Sequence, residues 1–152
     1  MTDMRLHLED LAYDASRCNT GYTVGGILYV TIGDTAFPCE EWYDTVFTDL
    51  KSWIPGILSF GSNHTDVCLL PFMDGPCQIK LSRDRDGKIL VSCIRKNHAE
   101  MQNVEIDFPS FLKSVAKCAR EYDRILYING STSLFRNEIA GLKALLSACA
   151  VL

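Results

Sequence analysis

Two carboxylates are the residues best placed to act on a substrate. Asp74 sits in CLLPFMDGPCQIKL (68–81), between two apolar runs, and Asp44 lies in the acidic string EEWYDTVFTD (40–49). A pair of this kind could serve a small hydrolase or transferase, one carboxyl giving a proton and the other taking one. The thiols and imidazoles are less promising. Seven cysteines and three histidines (His7, His64, His98) are present, but no cysteine stands near a histidine in a recognised nucleophile setting. Cys93 and His98 are five apart and diverge on strand-and-loop geometry, and no second Cys/His pair completes a tetrahedral set, so no metal site is expected. His7, on the polar side of a strand, and His64, in the loop GSNHTD, read as solvent-exposed residues. Gly-x-Ser-x-Gly is absent, and the glycines of GYTVGG are not followed by Lys-Ser/Thr and a helix, which argues against a phosphate loop. No catalytic, metal-binding or cofactor-binding residue is assigned.

Strand register decides the reading of Asp74. With Asp74-Gly75 as a hairpin loop, Phe72 faces Cys77, Leu70 faces Ile79 and Cys68 faces Leu81, three apolar pairs on one face. Leu69–Lys80 and Pro71–Gln78 fall on the other, and a one-residue slip would scramble the pattern. Asp-Gly is a favoured turn pair, so Asp74 reads as turn chemistry rather than as a catalyst. Pro76 cannot donate to the ladder, which predicts an edge, a bulge or a wider loop at this end. A second hairpin follows in QIKLSRDRDGKILVSCI. A three-residue loop, Arg85-Asp86-Gly87, sets Leu81 against Val91 and Ile79 against Cys93.

The remaining elements follow from periodicity. MRLHLED alternates as a half-buried strand with Met4, Leu6 and Leu8 inward. A turn-rich stretch, SRCNTGY, leads to the strand YTVGGILYVTI (22–32), where Gly25-Gly26 predicts a bulge or a close backbone approach. Trp42, Val46, Leu50, Trp53 and Ile54 form one stripe of a helix starting near Pro38 and Glu40-Glu41 and ending or kinking at Pro55-Gly56. Both tryptophans then read as core. On that helix Glu41, Asp44 and Thr48 share a flank. A fourth strand of the meander is expected in MQNVEID (101–107), with Met101, Asn103 and Glu105 outward or at an edge and Val104 and Ile106 inward. A helix begins at DFPSF, and RILYI (124–128) either continues it to a cap at Asn129-Gly130 or forms a short strand. A last helix from near Ser133 carries Phe135, Ile139, Leu142, Leu146 and Cys149 inward, and the apolar end ACAVL is expected to pack. The sum is an α+β fold: an antiparallel sheet of about six strands with about three helices on its apolar face, in one domain spanning 1–152.

Composition narrows the classes. The chain of 152 residues is 47% hydrophobic and 22% charged, ordinary for a globular protein. The longest apolar run, VCLLPFM, is far too short to span a bilayer, and MTDMRLHLED lacks a signal-peptide pattern. A cytoplasmic location with reduced thiols is therefore expected, several of them standing where small apolar residues would. Fifteen basic against nineteen acidic residues, with no basic cluster denser than RKNH, argue against nucleic-acid binding.

The long strand leading to Phe37-Pro38, then Trp42-x-Asp44, Leu50 and Trp53, then Phe72-Met73-Asp74-Gly75-Pro76, resembles a group of small bacterial proteins. Some of them are taken to be immunity proteins of polymorphic-toxin or contact-dependent inhibition systems. The strand-helix-helix close, through FPSFLKSVAKCAREYDRILY and NEIAGLKALLSAC, is similar too. Ile54 stands where the group has a second consecutive tryptophan, and Cys77 where an aromatic is often seen. The resemblance implies a non-catalytic inhibitor that holds one cognate toxin, itself basic, without cofactor, nucleic acid or membrane. On this view Glu40, Glu41 and Asp44, with Asp86 on its turn, would meet the partner. The alternatives are a small enzyme built on Asp74 and Asp44, and an adaptor or subunit with a different protein partner.

Overall fold

In the computed structural model, which describes residues 1–12, 25–128, 130 and 133–150, the strands fall into two antiparallel sheets of four rather than one sheet of about six. The first contains β1 (Met4–Ala12), β2 (Gly25–Ile32), β3 (Thr35–Phe37) and β4 (Tyr43–Asp44), with β1, β3 and β4 all paired to β2. The second is a meander of β5 (Val67–Pro71), β6 (Cys77–Arg83), β7 (Ile89–Arg95) and β8 (His98–Glu105). Three helices complete the α+β fold: α1 (Val46–Gly61), α2 (Phe108–Ile128) and α3 (Arg136–Ala150). Stretch 16–22, the strand residues 22–24, Asn129 of the expected cap and the last two residues lie outside the described residues.

The two sheets meet at one corner. Thr2 N–H donates to Glu105 C=O and Asp107 N–H donates to Thr2 C=O, both at 2.9 Å, a lone parallel bridge between the start of β1 and the end of β8. One apolar cluster then draws on both sheets and all three helices. Trp53, Ile54, Ile57 and Phe60 of α1, Phe111, Val115 and Tyr122 of α2, and Leu142 of α3 meet Leu28, Val30, Leu70 and Ile79 from the strands. The alternation of β2, in which every second residue is fully covered, reflects an inner face on this core and an outer face in water.

Both hairpins of the second sheet keep the register read from the sequence. Leu70 pairs with Ile79 and Cys68 with Leu81, while Leu81 pairs with Val91 and Ile79 with Cys93. The first connection is the wider kind: Phe72 N–H donates to Cys77 C=O at 3.0 Å, and four residues lie between, with Gly75 at φ +105°. In the second, Asp84 N–H donates to Lys88 C=O, closing the loop Arg85-Asp86-Gly87 with Gly87 at φ +80°. In β8 Asn103, at φ +51°, makes a bulge, so Met101 packs against the core together with Val104 instead of facing outward.

The segment expected to open the first helix continues the first sheet instead. After the cis Phe37-Pro38 bond the chain turns, Glu41 takes a positive φ, and Leu28 N–H donates to Trp42 C=O at 2.8 Å. Beyond β3, strand β2 has unpaired backbone on that side, and Tyr43–Asp44 supply its partners at Gly26 and Ile27. Helix α1 begins at Val46, so Glu41, Asp44 and Thr48 share no helical flank, and it continues through Pro55-Gly56 to Gly61. Residues 124–128 are helical, the last turn of α2. Asp107 caps α2 through Ser110, whose hydroxyl donates to Asp107 Oδ2 at 2.8 Å.

Candidate functional site

The outer face of the first sheet carries the exposed aromatic and acidic side chains that a protein partner could use. Because side chains alternate along a strand, Arg5, His7 and Glu9 of β1 point outward opposite Thr31, Tyr29 and Ile27 of β2. The His7 ring stacks on Tyr29, with centroids 4.9 Å apart and planes at 16°. His7 Nε2 lies 2.7 Å from Thr31 Oγ1, and the Tyr29 hydroxyl donates over a long 3.5 Å to Glu9 Oε1. Tyr43, paired with Ile27, is 58% exposed. Its ring lies against Gly25, where a β-carbon would overlap it, so the neighbour there is a side chain and the expected close backbone approach is at Gly26. At Gly26 a β-carbon would stand 3.2 Å from the Leu11 backbone, beside the bulge at Asp10.

Glu40 and Glu41 belong to this face. Burial raises the pKa of Tyr29, and the charges of Glu9 and Glu40, the hydrogen bond its hydroxyl donates to Glu9 and the charge of Glu41 each add to it. Carboxylates from two parts of the chain, Glu9 and the adjacent Glu40 and Glu41, thus act on one half-buried tyrosine. The opposite margin is basic. Arg5 and His7 line a groove of about 430 Å³ with Lys113 and Lys117 of α2. Burial lowers the pKa of His7, with Arg5 and Lys117 acting in the same direction against Glu9 and Asp3. The face thus runs from acidic to basic across a stacked His–Tyr pair, on a rigid sheet.

No known protein-family profile, curated protein or solved structure matches this chain.

Two of the other expected contact residues lie elsewhere. Asp86 is exposed at the tip of the β6–β7 loop in the second sheet, where its N–H and that of Lys88 donate to Asp84 Oδ1 at 2.9 and 2.8 Å. Asp44 is fully buried and cannot meet a partner. Its Oδ2 accepts from Trp42 Nε1 (2.9 Å) and from the Asp74 backbone N–H (3.3 Å), and its Oδ1 accepts from Thr45 N–H (2.7 Å). Asp74 thus reaches Asp44 through its backbone, with its own side chain in solvent at the hairpin tip.

The companion of Asp44 is Asp49, which the sequence reading passed over. It is also fully buried, and its Oδ1 accepts from Met73 N–H at 3.1 Å. Burial, then the hydrogen bond and charge of Asp44, push its pKa up to about 9. Its Oδ2 has no hydrogen-bond partner among the described residues, and the raised pKa keeps the carboxyl neutral there. The pair joins the start of α1 to the β5–β6 loop. A hollow of about 290 Å³ beside that loop is lined by Phe72, Gly75, Pro76 and Lys96 among others, and by neither carboxyl. The buried thiols are similarly enclosed, burial pushing Cys68 to about 11 and Cys93 and Cys118 to about 12.

Proposed function

We propose that this chain is a non-catalytic immunity protein, binding and neutralising a cognate bacterial toxin in the cytoplasm through the outer face of its first sheet. The observation that carries the reading is the outward His7–Tyr29 stack, with Glu9 bonded to Tyr29 and the exposed Tyr43 on the neighbouring strand, in the field of Glu40 and Glu41. Tyrosines are strong anchors at protein interfaces because they bury a large apolar body and keep a polar tip. Carboxylates at the margin would steer a basic partner and raise its on-rate. A protective complex needs roughly 1,600 Å² of buried surface and a dissociation constant near or below about 1 nM. A hydrogen-bonded sheet presents such a surface with less entropy lost on ordering than a loop would cost.

The enzymatic alternative would have its paired carboxyls in Asp44 and Asp49. Both are enclosed and committed to backbone and indole donors, which favours a structural role. The test is capture of the product of the gene next to this one by the purified chain. Binding with nanomolar affinity, and inhibition of that product, are expected. Binding that survives combined charge reversal at Glu40 and Glu41 with Tyr43→Ala would remove this face from the account.

A further inference from the structure

Exposed sheet edges invite pairing with another chain, and proteins close them off by recognisable means. At the β1 edge, Leu6 N–H donates to Ser114 Oγ (2.8 Å) and Leu6 C=O accepts from Cys118 Sγ (3.6 Å), so side chains of α2 seal it. The β8 edge carries exposed Glu100, Gln102 and Asn103 with the bulge, and Thr2 is bonded to its end. The β5 edge is closed only at Pro71, by a side chain of α1. Phe72 N–H donates to Cys77 C=O (3.0 Å) and Arg83 N–H donates to Asp66 C=O (3.3 Å). Hydrogen-bonded pairs alternate in an antiparallel ladder, so Cys68 and Leu70 turn their backbone groups to β6. Val67, Leu69 and Pro71 turn theirs away. Trp53 Nε1 donates to the Pro71 carbonyl at 2.6 Å. The N–H and C=O of Val67 and Leu69 have no hydrogen-bond partner among the described residues. Their side chains are exposed as well, Leu69 at 54% and Val67 at 46%, and no charged residue stands between Asp66 and Asp74.

We propose that β5 pairs with β5 of a second copy of this chain, antiparallel about a two-fold axis at Leu69. The edge is self-complementary in that register. Leu69 exchanges two hydrogen bonds with its own copy, and each Val67 N–H reaches the second lone pair of the other copy's Pro71 carbonyl, whose first accepts from Trp53 Nε1, giving four bonds in all. Every cross-strand pair is apolar, Leu–Leu at the centre and Val–Pro on either side. Centring on Pro71 would lose the middle bonds, since proline has no N–H, and centring on Val67 would run the ladder beyond the strand. Lys80 lies beside Leu69 on β6. The two Lys80 side chains would be three strand spacings apart, about 14 Å, and so screened at ordinary salt. The interface is small, so the association is expected to be weak and to show only at high protein concentration.

Sedimentation equilibrium of the full chain from low micromolar to millimolar concentration tests this, with amide exchange read in parallel. A monomer–dimer equilibrium is expected, with the Val67 and Leu69 amides slowing about tenfold on dimerisation. Leu69→Arg, an exposed position, should remain monomeric with an unchanged circular dichroism spectrum. A monomer throughout, or association that leaves exchange at Val67 and Leu69 unchanged, overturns the proposal. The exchange data decide it on the unsubstituted chain even where the variant misfolds. Charge reversal at Glu40 and Glu41, on the other sheet, should leave the equilibrium as it is.

Discussion

Asp44 and Asp49 are both buried, and burial, with Asp44 acting on it, keeps the Asp49 carboxyl protonated up to about pH 9. In the unfolded chain Asp49 returns to the ordinary value of 3.8, against about 9 when folded. Between these limits the folded state holds a proton that the unfolded state has lost. The contribution of Asp49 is therefore complete below about pH 3.8, declines as pH rises, and is gone above about pH 9. Asparagine reproduces the protonated acid, accepting from Met73 N–H without a charge to bury. The stability of Asp49→Asn relative to the native chain should thus rise steadily from pH 4 to pH 9, as measured by urea unfolding across that range. A constant difference would mean that Asp49 is ionised in the fold.

Asp44 is the acceptor on which the surrounding donors depend. Trp42 Nε1 and the N–H groups of Thr45 and Asp74 all bond to it. Asp44→Ala strands these donors, so a loss of roughly 3–5 kcal/mol is expected. Exchange of the Asp74 amide should accelerate beyond the global change, since this bond ties the hairpin tip to the start of α1.

Trp53 provides a second tie between α1 and β5. Its indole N–H donates to the Pro71 carbonyl, and its ring meets Phe72 edge-on, with centroids 4.9 Å apart and planes at 88°. Trp53→Phe keeps an aromatic ring but strands a carbonyl and leaves a small void, a cost of about 2–3 kcal/mol. The denaturation midpoint should fall with an unchanged slope, followed by far-UV circular dichroism.

The elements with the most local patterning were legible in the sequence. The β5–β6 and β6–β7 registers follow from apolar pairing across Gly-containing loops, and α2 from its caps and apolar stripe. The segment 38–45 was not, because Trp42 and Val46 fit a helical period by coincidence, while the real constraint is the unpaired side of β2. The same misreading placed Glu41 and Asp44 on one flank. Strand pairing instead sends one to the surface and the other to the interior, and Asp49 was passed over as one more acid in a helix. The meeting of the two sheets rests on the Thr2–Ile106 bridge, a contact between residues far apart in sequence that no local pattern encodes. Glu9 could have been found, because a β1–β2 hairpin in register sets it opposite Ile27 on the polar face.

On the proposed binding face, charge and shape should separate in the kinetics. Glu40→Lys with Glu41→Lys removes attraction at the margin while leaving the tyrosines, so the on-rate should fall and its salt dependence weaken, with the off-rate little changed. Gly25→Ala acts the other way. Its added methyl would overlap the Tyr43 ring, and because that ring is exposed it can swing aside at a stability cost of under about 1 kcal/mol. A displaced anchor shortens the lifetime of the complex, so the off-rate should rise while the on-rate holds. Stopped-flow association and dissociation at two ionic strengths distinguish the two. An equal effect of both variants on both rates would mean that the partner docks elsewhere and feels these residues only through the fold.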